Sequence, residues 1–170
     1  METPDEKWFR ERLRHFLEVR HPPRQFHRAM IERRSRLAFE SYVQSVEQGT
    51  TADSAVRTAD KMLFRGLLFS KYDTVHLILA TDFPAIPESQ RQEVALRLTR
   101  ICAPIFRAYN LNDDFAERPD FRQLKEELRT GIRIWIDENG VPGYRSPARK
   151  EHPPVPYSRQ PRYRKRNKRK

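Results

Sequence analysis

Apolar side chains in this chain recur every three or four residues, and prolines or glycines interrupt them before any run grows long. Phe9, Leu13, Phe16 and Leu17 form one such series, Val94, Leu98, Ile101, Ile105 and Tyr109 another, and Phe121, Leu124, Leu128, Ile132 and Trp135 a third. This period belongs to amphipathic helices; strands would show alternation instead. No apolar run approaches the roughly 20 residues needed to cross a membrane, and the first residues lack the apolar centre of a signal peptide. The sequence therefore predicts an all-α protein of about six helices in one compact orthogonal bundle with one core, in a cytoplasmic setting.

Punctuation places the helices. Thr3, Pro4 and Glu6 predict the first start as N-cap, first-turn proline and capping-box acid, and His21-Pro22-Pro23 predicts its end. A second helix is expected from about Arg24 to Gln48, burying Phe26, Met30, Leu37, Phe39, Tyr42, Val43 and Val46, with Gly49 at C′. A third follows a cap at Thr50 or Thr51, with Ala55, Val56, Ala59, Met62, Leu63, Gly66 and Leu67 along its stripe. The fourth, Thr74 to about Phe83, is apolar almost all round and is expected at the centre of the core. The fifth contains Pro104, where a kink is expected. The sixth starts near Pro119-Asp120 and closes at Asn139-Gly140.

Charge is distributed unevenly. The 170 residues hold 34 Lys and Arg against 23 Asp and Glu, a net of +11. Residues 141–170 carry eleven of the basic side chains and one acid, Glu151, hence +10; residues 1–140 keep 23 basic and 22 acidic groups, hence +1. Six of the thirteen prolines also fall in this last stretch. Proline disfavours helix and central strand, and the apolar content is too low to offset the entropy of ordering. A helical domain over 1–140 and a disordered tail over 141–170 are expected.

Seven of the nine residues from Arg162 to Lys170 are basic. Cations on such a chain neutralise phosphates and release counterions, which gives affinity without sequence preference. The expected nucleic-acid contacts are Arg159, Arg162, Tyr163, Arg164, Lys165, Arg166, Lys168, Arg169 and Lys170, with Tyr144, Tyr157 and Tyr163 available for stacking on unpaired bases. An acidic protein groove and an anionic membrane surface are the competing partners. Residues 10–36 add nine arginines against three acids. They are spread around their helices, so a solvated surface with pairs such as Arg14–Glu18 and Arg28–Glu32 is expected rather than one basic face.

The residues with reactive chemistry read as structural. His15, His21 and His27 are six apart, with His21 in the Pro-Pro break, so they cannot share a helix face as metal ligands; surface histidines are expected. Cys102, the one cysteine, has no base beside it and is expected to be buried. Ser70, Lys71, Tyr72 and Asp73 gather at a helix junction, where Asp73 is expected as an N-cap under Phe69 and Tyr72. Asp113 and Asp114, with Glu117 and Asp120, lack the spacing of a calcium loop and are expected to cap a turn and the last helix. A hydrolase or transferase would require these two clusters to converge in one cleft. No glycine-rich phosphate loop occurs, so no cofactor, metal, small-molecule substrate or enzymatic activity is expected.

Three separated segments also carry a resemblance. Gly66-Leu67-Leu68-Phe69-Ser70-Lys71-Tyr72-Asp73-Thr74, then Leu111-Asn112-Asp113-Asp114-Phe115-Ala116, then Ile134-Trp135-Ile136-Asp137-Glu138-Asn139-Gly140 resemble, in order, the signature of an uncharacterised helical domain family. That family is found on conjugative transposons of Bacteroidales-type bacteria, near or joined to helicase and DNA-methylase genes. The resemblance spans about residues 6–140. It implies a helical fold and the company of DNA-processing proteins, and it carries no catalytic residue. The resulting expectation is a non-enzymatic, DNA-associated accessory protein of a mobile element. The alternative is an adaptor for such a helicase or methylase with no nucleic-acid contact of its own.

Overall fold

Asp5, two residues later than expected, starts the first helix: its Oδ1 accepts the Trp8 amide at 2.6 Å, satisfying one of the donors a helix start leaves unpaired. The computed structural model describes residues 3–144. Among them are α1 (Glu6–Arg20), α2 (Arg28–Glu47), α3 (Ala52–Leu63), α4 (Lys71–Asp82), α5 (Glu88–Ile101), α6 (Ala103–Arg107) and α7 (Asp120–Asn139). Short 3-10 turns occupy Pro22–Arg24 and Phe115–Glu117. Among the described residues there is no strand, only an isolated bridge between Val141 and Tyr144. No described helix is long and apolar enough to cross a membrane.

Pro104 accounts for seven helices where about six were expected. The chain does not kink there. It ends α5 at Ile101, turns at Cys102, and restarts with Pro104 in the first turn of α6. Proline has no N–H to give and its ring clashes with the carbonyl four residues back, whereas a helix start asks for neither. The second helix begins later than expected for a related reason, because Pro22 and Pro23 open a 3-10 turn before α2 starts at Arg28. Its end agrees with expectation: Gly49 takes φ +81°, the left-handed conformation that closes a helix with little strain in glycine alone.

Buried apolar side chains form two clusters rather than the one core expected. In the first, α2 packs against both α1 and α3. Phe9, Leu13 and Leu17 of α1 meet Ile31, Ala38 and Tyr42 of α2 and Ala55, Ala59 and Leu63 of α3. The expected stripe of α2 holds in part: Tyr42 is buried and Met30, Phe39 and Val43 pack against the cluster, but Phe26, Leu37 and Val46 are exposed while Ser35 and Ala38 are buried. Small residues let the helices approach closely, and Ser35 Oγ returns its proton to the Ile31 carbonyl at 2.8 Å, so its burial leaves nothing unpaired.

The second cluster holds Val75, Ile78 and Leu79 of α4, Ala95 and Leu98 of α5, Phe106 of α6, and Leu124, Leu128, Ile132 and Ile136 of α7. It also takes in Val141, while Tyr144 packs against it and its ring lies 6.0 Å from that of Phe83. The body thus extends past the expected boundary at residue 140, and Tyr144 belongs to its packing rather than to a free tail. Residues 141–144 hold no charge. All eleven basic groups of the C-terminal stretch therefore lie beyond them.

Candidate functional site

The two clusters meet along a polar seam, and the seam holds the segment Gly66–Thr74. Ser70 caps α4: its Oγ accepts the Asp73 amide at 3.0 Å and donates to the Arg20 carbonyl at the end of α1. Asp73, expected as the cap, does not fill that role. Asp73 instead sits in the first turn, where its carboxylate receives Arg20 Nε at 2.5 Å. A cap must precede the helix with an extended backbone, and Ser70 does so at φ −115°, ψ 120°.

Asp113 makes the second link. Its Oδ2 accepts the Gly66 amide at 2.7 Å and its Oδ1 the Leu68 amide at 2.9 Å, so one carboxylate fixes the turn between the halves. Gly66 adopts φ +73°, which aims its amide at that carboxylate. Arg34 of α2 reaches the same turn from the other side, donating from Nη1 to the carbonyls of Leu63 at 3.1 Å and Arg65 at 2.6 Å. Burial, then the charges of Arg33 and Arg24, press the Arg34 pKa below the usual arginine value, with Asp113 opposing them.

His21 closes α1 and its Nε2 lies 2.7 Å from the Leu67 carbonyl. Burial lowers its pKa, against the hydrogen bond to Leu67, so the neutral ring that donates from Nε2 leaves Nδ1 as an acceptor. His21 is half-buried, not the surface residue expected; His15 and His27 are exposed.

A cleft of about 320 Å³ opens on this seam. Its walls include His21, Arg24, Lys71, Tyr72, Asn112 and Asp113. The two expected clusters therefore converge in part: Lys71, Tyr72 and Asp113 share the cleft, while Ser70 faces α1 and Asp114 pairs with Arg118 at 3.1 Å. The carboxylates nearest the reactive groups are committed, Asp73 to Arg20 and Asp113 to two amides. Cys102 is buried as expected, and burial pushes its thiol up to about 11. Among the described residues no three His, Cys, Asp or Glu side chains gather as a metal site.

The arginines of α1 and α2 are mostly paired. Arg10 meets Glu6 at 2.7 Å, Arg12 meets Asp60 of α3 at 2.8 Å, and Arg28 meets Glu32 at 3.0 Å, as its spacing predicted. The expected Arg14–Glu18 ion pair does not form among the described residues. The gathering of Arg24, Arg34 and Arg65 around one turn was missed, because it depends on contacts 29 and 31 residues apart in sequence. Arg159, Arg162, Tyr163, Arg164, Lys165, Arg166, Lys168, Arg169 and Lys170 lie outside the described residues, as do Tyr157 and the tail's expected disorder.

Fold and seam together define a helical domain in two halves linked by hydrogen bonds and an ion pair, with a polar cleft between them. The profile of the family described as Domain of unknown function (DUF1896) matches residues 2–141, and the chain belongs to that family. The chain is also similar to the crystal structure of protein PG0816 from Porphyromonas gingivalis, at 30% identity and a TM-score of 0.75. The match covers 81% of this chain and 94% of that one. A chain with little beyond the matched body thus forms this fold. A search of the curated proteins finds no match.

Proposed function

We propose that this protein is a non-enzymatic accessory factor of the DNA-handling machinery of a conjugative mobile element, holding nucleic acid through phosphate contacts of its basic tail. One observation carries the reading: eleven basic side chains and one acid are concentrated beyond Tyr144, on a body whose charges nearly cancel. Such a segment binds the phosphate backbone without reading bases. Ser70, Asp73 and Asp113 are engaged in joining the halves of the body, which supports a role without catalysis. The helical body then docks onto a DNA-processing partner such as a helicase or methylase, in the cytoplasm.

Binding of duplex and single-stranded DNA by the full chain and by residues 1–144 across a salt series tests this. With five to eight phosphates engaged, the log–log slope on duplex DNA is expected at about −4.5 to −7. Removal of the tail should weaken binding and flatten that slope. If the full chain does not bind, or truncation changes neither quantity, the reading fails.

A second reading, an adaptor that touches no nucleic acid, draws on Phe26, which is 80% exposed in the turn before α2. Co-purification of a defined partner that survives nuclease treatment, without DNA affinity, favours it.

A further inference from the structure

The cleft on the seam has two cations on its walls, Arg24 and Lys71, against a single carboxylate, Asp113. Arg24 comes from the turn after α1 and Lys71 from the first residue of α4; both line the cleft and both are exposed. Neither forms an ion pair with a described carboxylate. Asp113, the carboxylate on the wall, keeps its charge but is fixed on the Gly66 and Leu68 amides, and Asp73 in the first turn of α4 holds Arg20. Arg34 is anchored on the Arg65 carbonyl, beside Gly66, which also lines the cleft, and so adds positive charge at its edge. Like charges gathered around a concavity raise the local concentration of anions.

The rest of the cleft has a definite chemistry. Tyr72 supplies a hydroxyl and, with Phe69, an aromatic wall. Asn112 is half-buried on the wall, and among the described residues its Oδ1 has no hydrogen-bond partner. The volume of about 320 Å³ is at the small end of ligand sites, enough for a phosphate with the sugar attached to it.

We propose that the cleft between the two halves is a phosphate-ester site, in which Arg24 and Lys71 hold the phosphate while Asn112 and Tyr72 meet the polar groups of its carbon skeleton. The ester is a nucleotide unit, either free or at the phosphorylated end of a strand. The site does not need the tail and stands apart from the tail's own affinity for DNA.

Calorimetric titration of the full chain and of residues 1–144 tests the proposal, with thymidine monophosphate, thymidine and a 5′-phosphorylated thymidine oligonucleotide, beside its unphosphorylated counterpart, as ligands. Both forms of the protein are expected to bind a phosphate-bearing ligand and to leave thymidine unbound. Arg24→Ala and Lys71→Met should each weaken binding about tenfold or more, the loss expected for one charged hydrogen bond. Arg57→Ala, an exposed cation on α3, should not. In residues 1–144, binding of the monophosphate assigns the site to free nucleotides, and binding of the 5′-phosphorylated oligonucleotide but not of its unphosphorylated counterpart assigns it to strand ends. The proposal is overturned if no phosphate-bearing ligand binds, if thymidine binds equally well, or if both variants bind like the parent. Loss of DNA affinity on tail removal, with monophosphate binding intact, separates this site from the tail.

Discussion

Arg20, the last residue of α1, donates from Nε to the carboxylate of Asp73 in the first turn of α4 at 2.5 Å, and so joins the two halves of the fold. About a third of each side chain remains exposed, so water screens the pair. Asp73→Asn is expected to cost no more than about 1 kcal/mol in urea unfolding. A much larger loss would mean that the seam is drier than its exposure implies.

Ser70 carries more. Ser70→Ala removes the cap of α4 and leaves the Arg20 carbonyl without its hydroxyl partner, in a position only 2% exposed. Cap loss costs about 1 kcal/mol and an unpaired buried carbonyl about 1–3 kcal/mol. A destabilisation of about 2–3 kcal/mol is expected, read from the urea midpoint at constant m-value. A change below 0.5 kcal/mol would show that the hydroxyl is dispensable.

Asp113→Ala strips two amide partners at once, those of Gly66 and Leu68. Charge-assisted bonds to amides are the stronger kind, and the expected loss is about 2–3 kcal/mol. Hydrogen exchange should locate it, with the Gly66 and Leu68 amides losing protection before those of α7. Uniform loss along the chain would contradict a local clasp.

Gly66→Ala adds a methyl group with nothing within 4 Å of it, yet at φ +73°. The cost is then purely conformational, about 1–2 kcal/mol. Calorimetric melting should register it without any change in the far-ultraviolet spectrum. A neutral result would mean that the Gly66 turn relaxes out of the left-handed region at no cost.

His21 links stability to pH. Its folded pKa lies below the ordinary histidine value of about 6.5, chiefly through burial, so the unfolded chain takes up the proton first. Stability from this group is complete above pH 6.5 and is lost as pH falls through the window down to the folded pKa. His21→Gln should remove that part of the slope. An unchanged profile in the variant would shift the effect to other groups.

The sequence made the helices legible and the seam largely illegible. Heptad-like spacing in α7 located Leu124, Leu128 and Ile132 correctly because one partner face buries them all. In α2 the large apolar residues outline only part of the buried face, which joins Ile31 and Tyr42 to Ser35 and Ala38, whose small size permits close packing. Pro104 was visible, but proline suits the first turn of a new helix as well as a kink in an old one, and its position in the sequence does not distinguish the two. Asp113 looked like a local cap, and nothing near it in sequence discloses the Gly66 and Leu68 amides 47 and 45 residues away. Of the cleft, the chemistry of Lys71, Tyr72 and Asp113 was readable while its meeting with His21 and Arg24 was not. The tail's charge needed no structure to be seen.

Two oily compartments stapled by a strip of hydrogen bonds do not melt like one droplet. Chemical or mechanical stress has a preplaced fault line at Gly66–Ser70, where solvent replaces amide and carboxylate partners one for one. Denaturation should therefore begin by parting the compartments, before either loses its own helices.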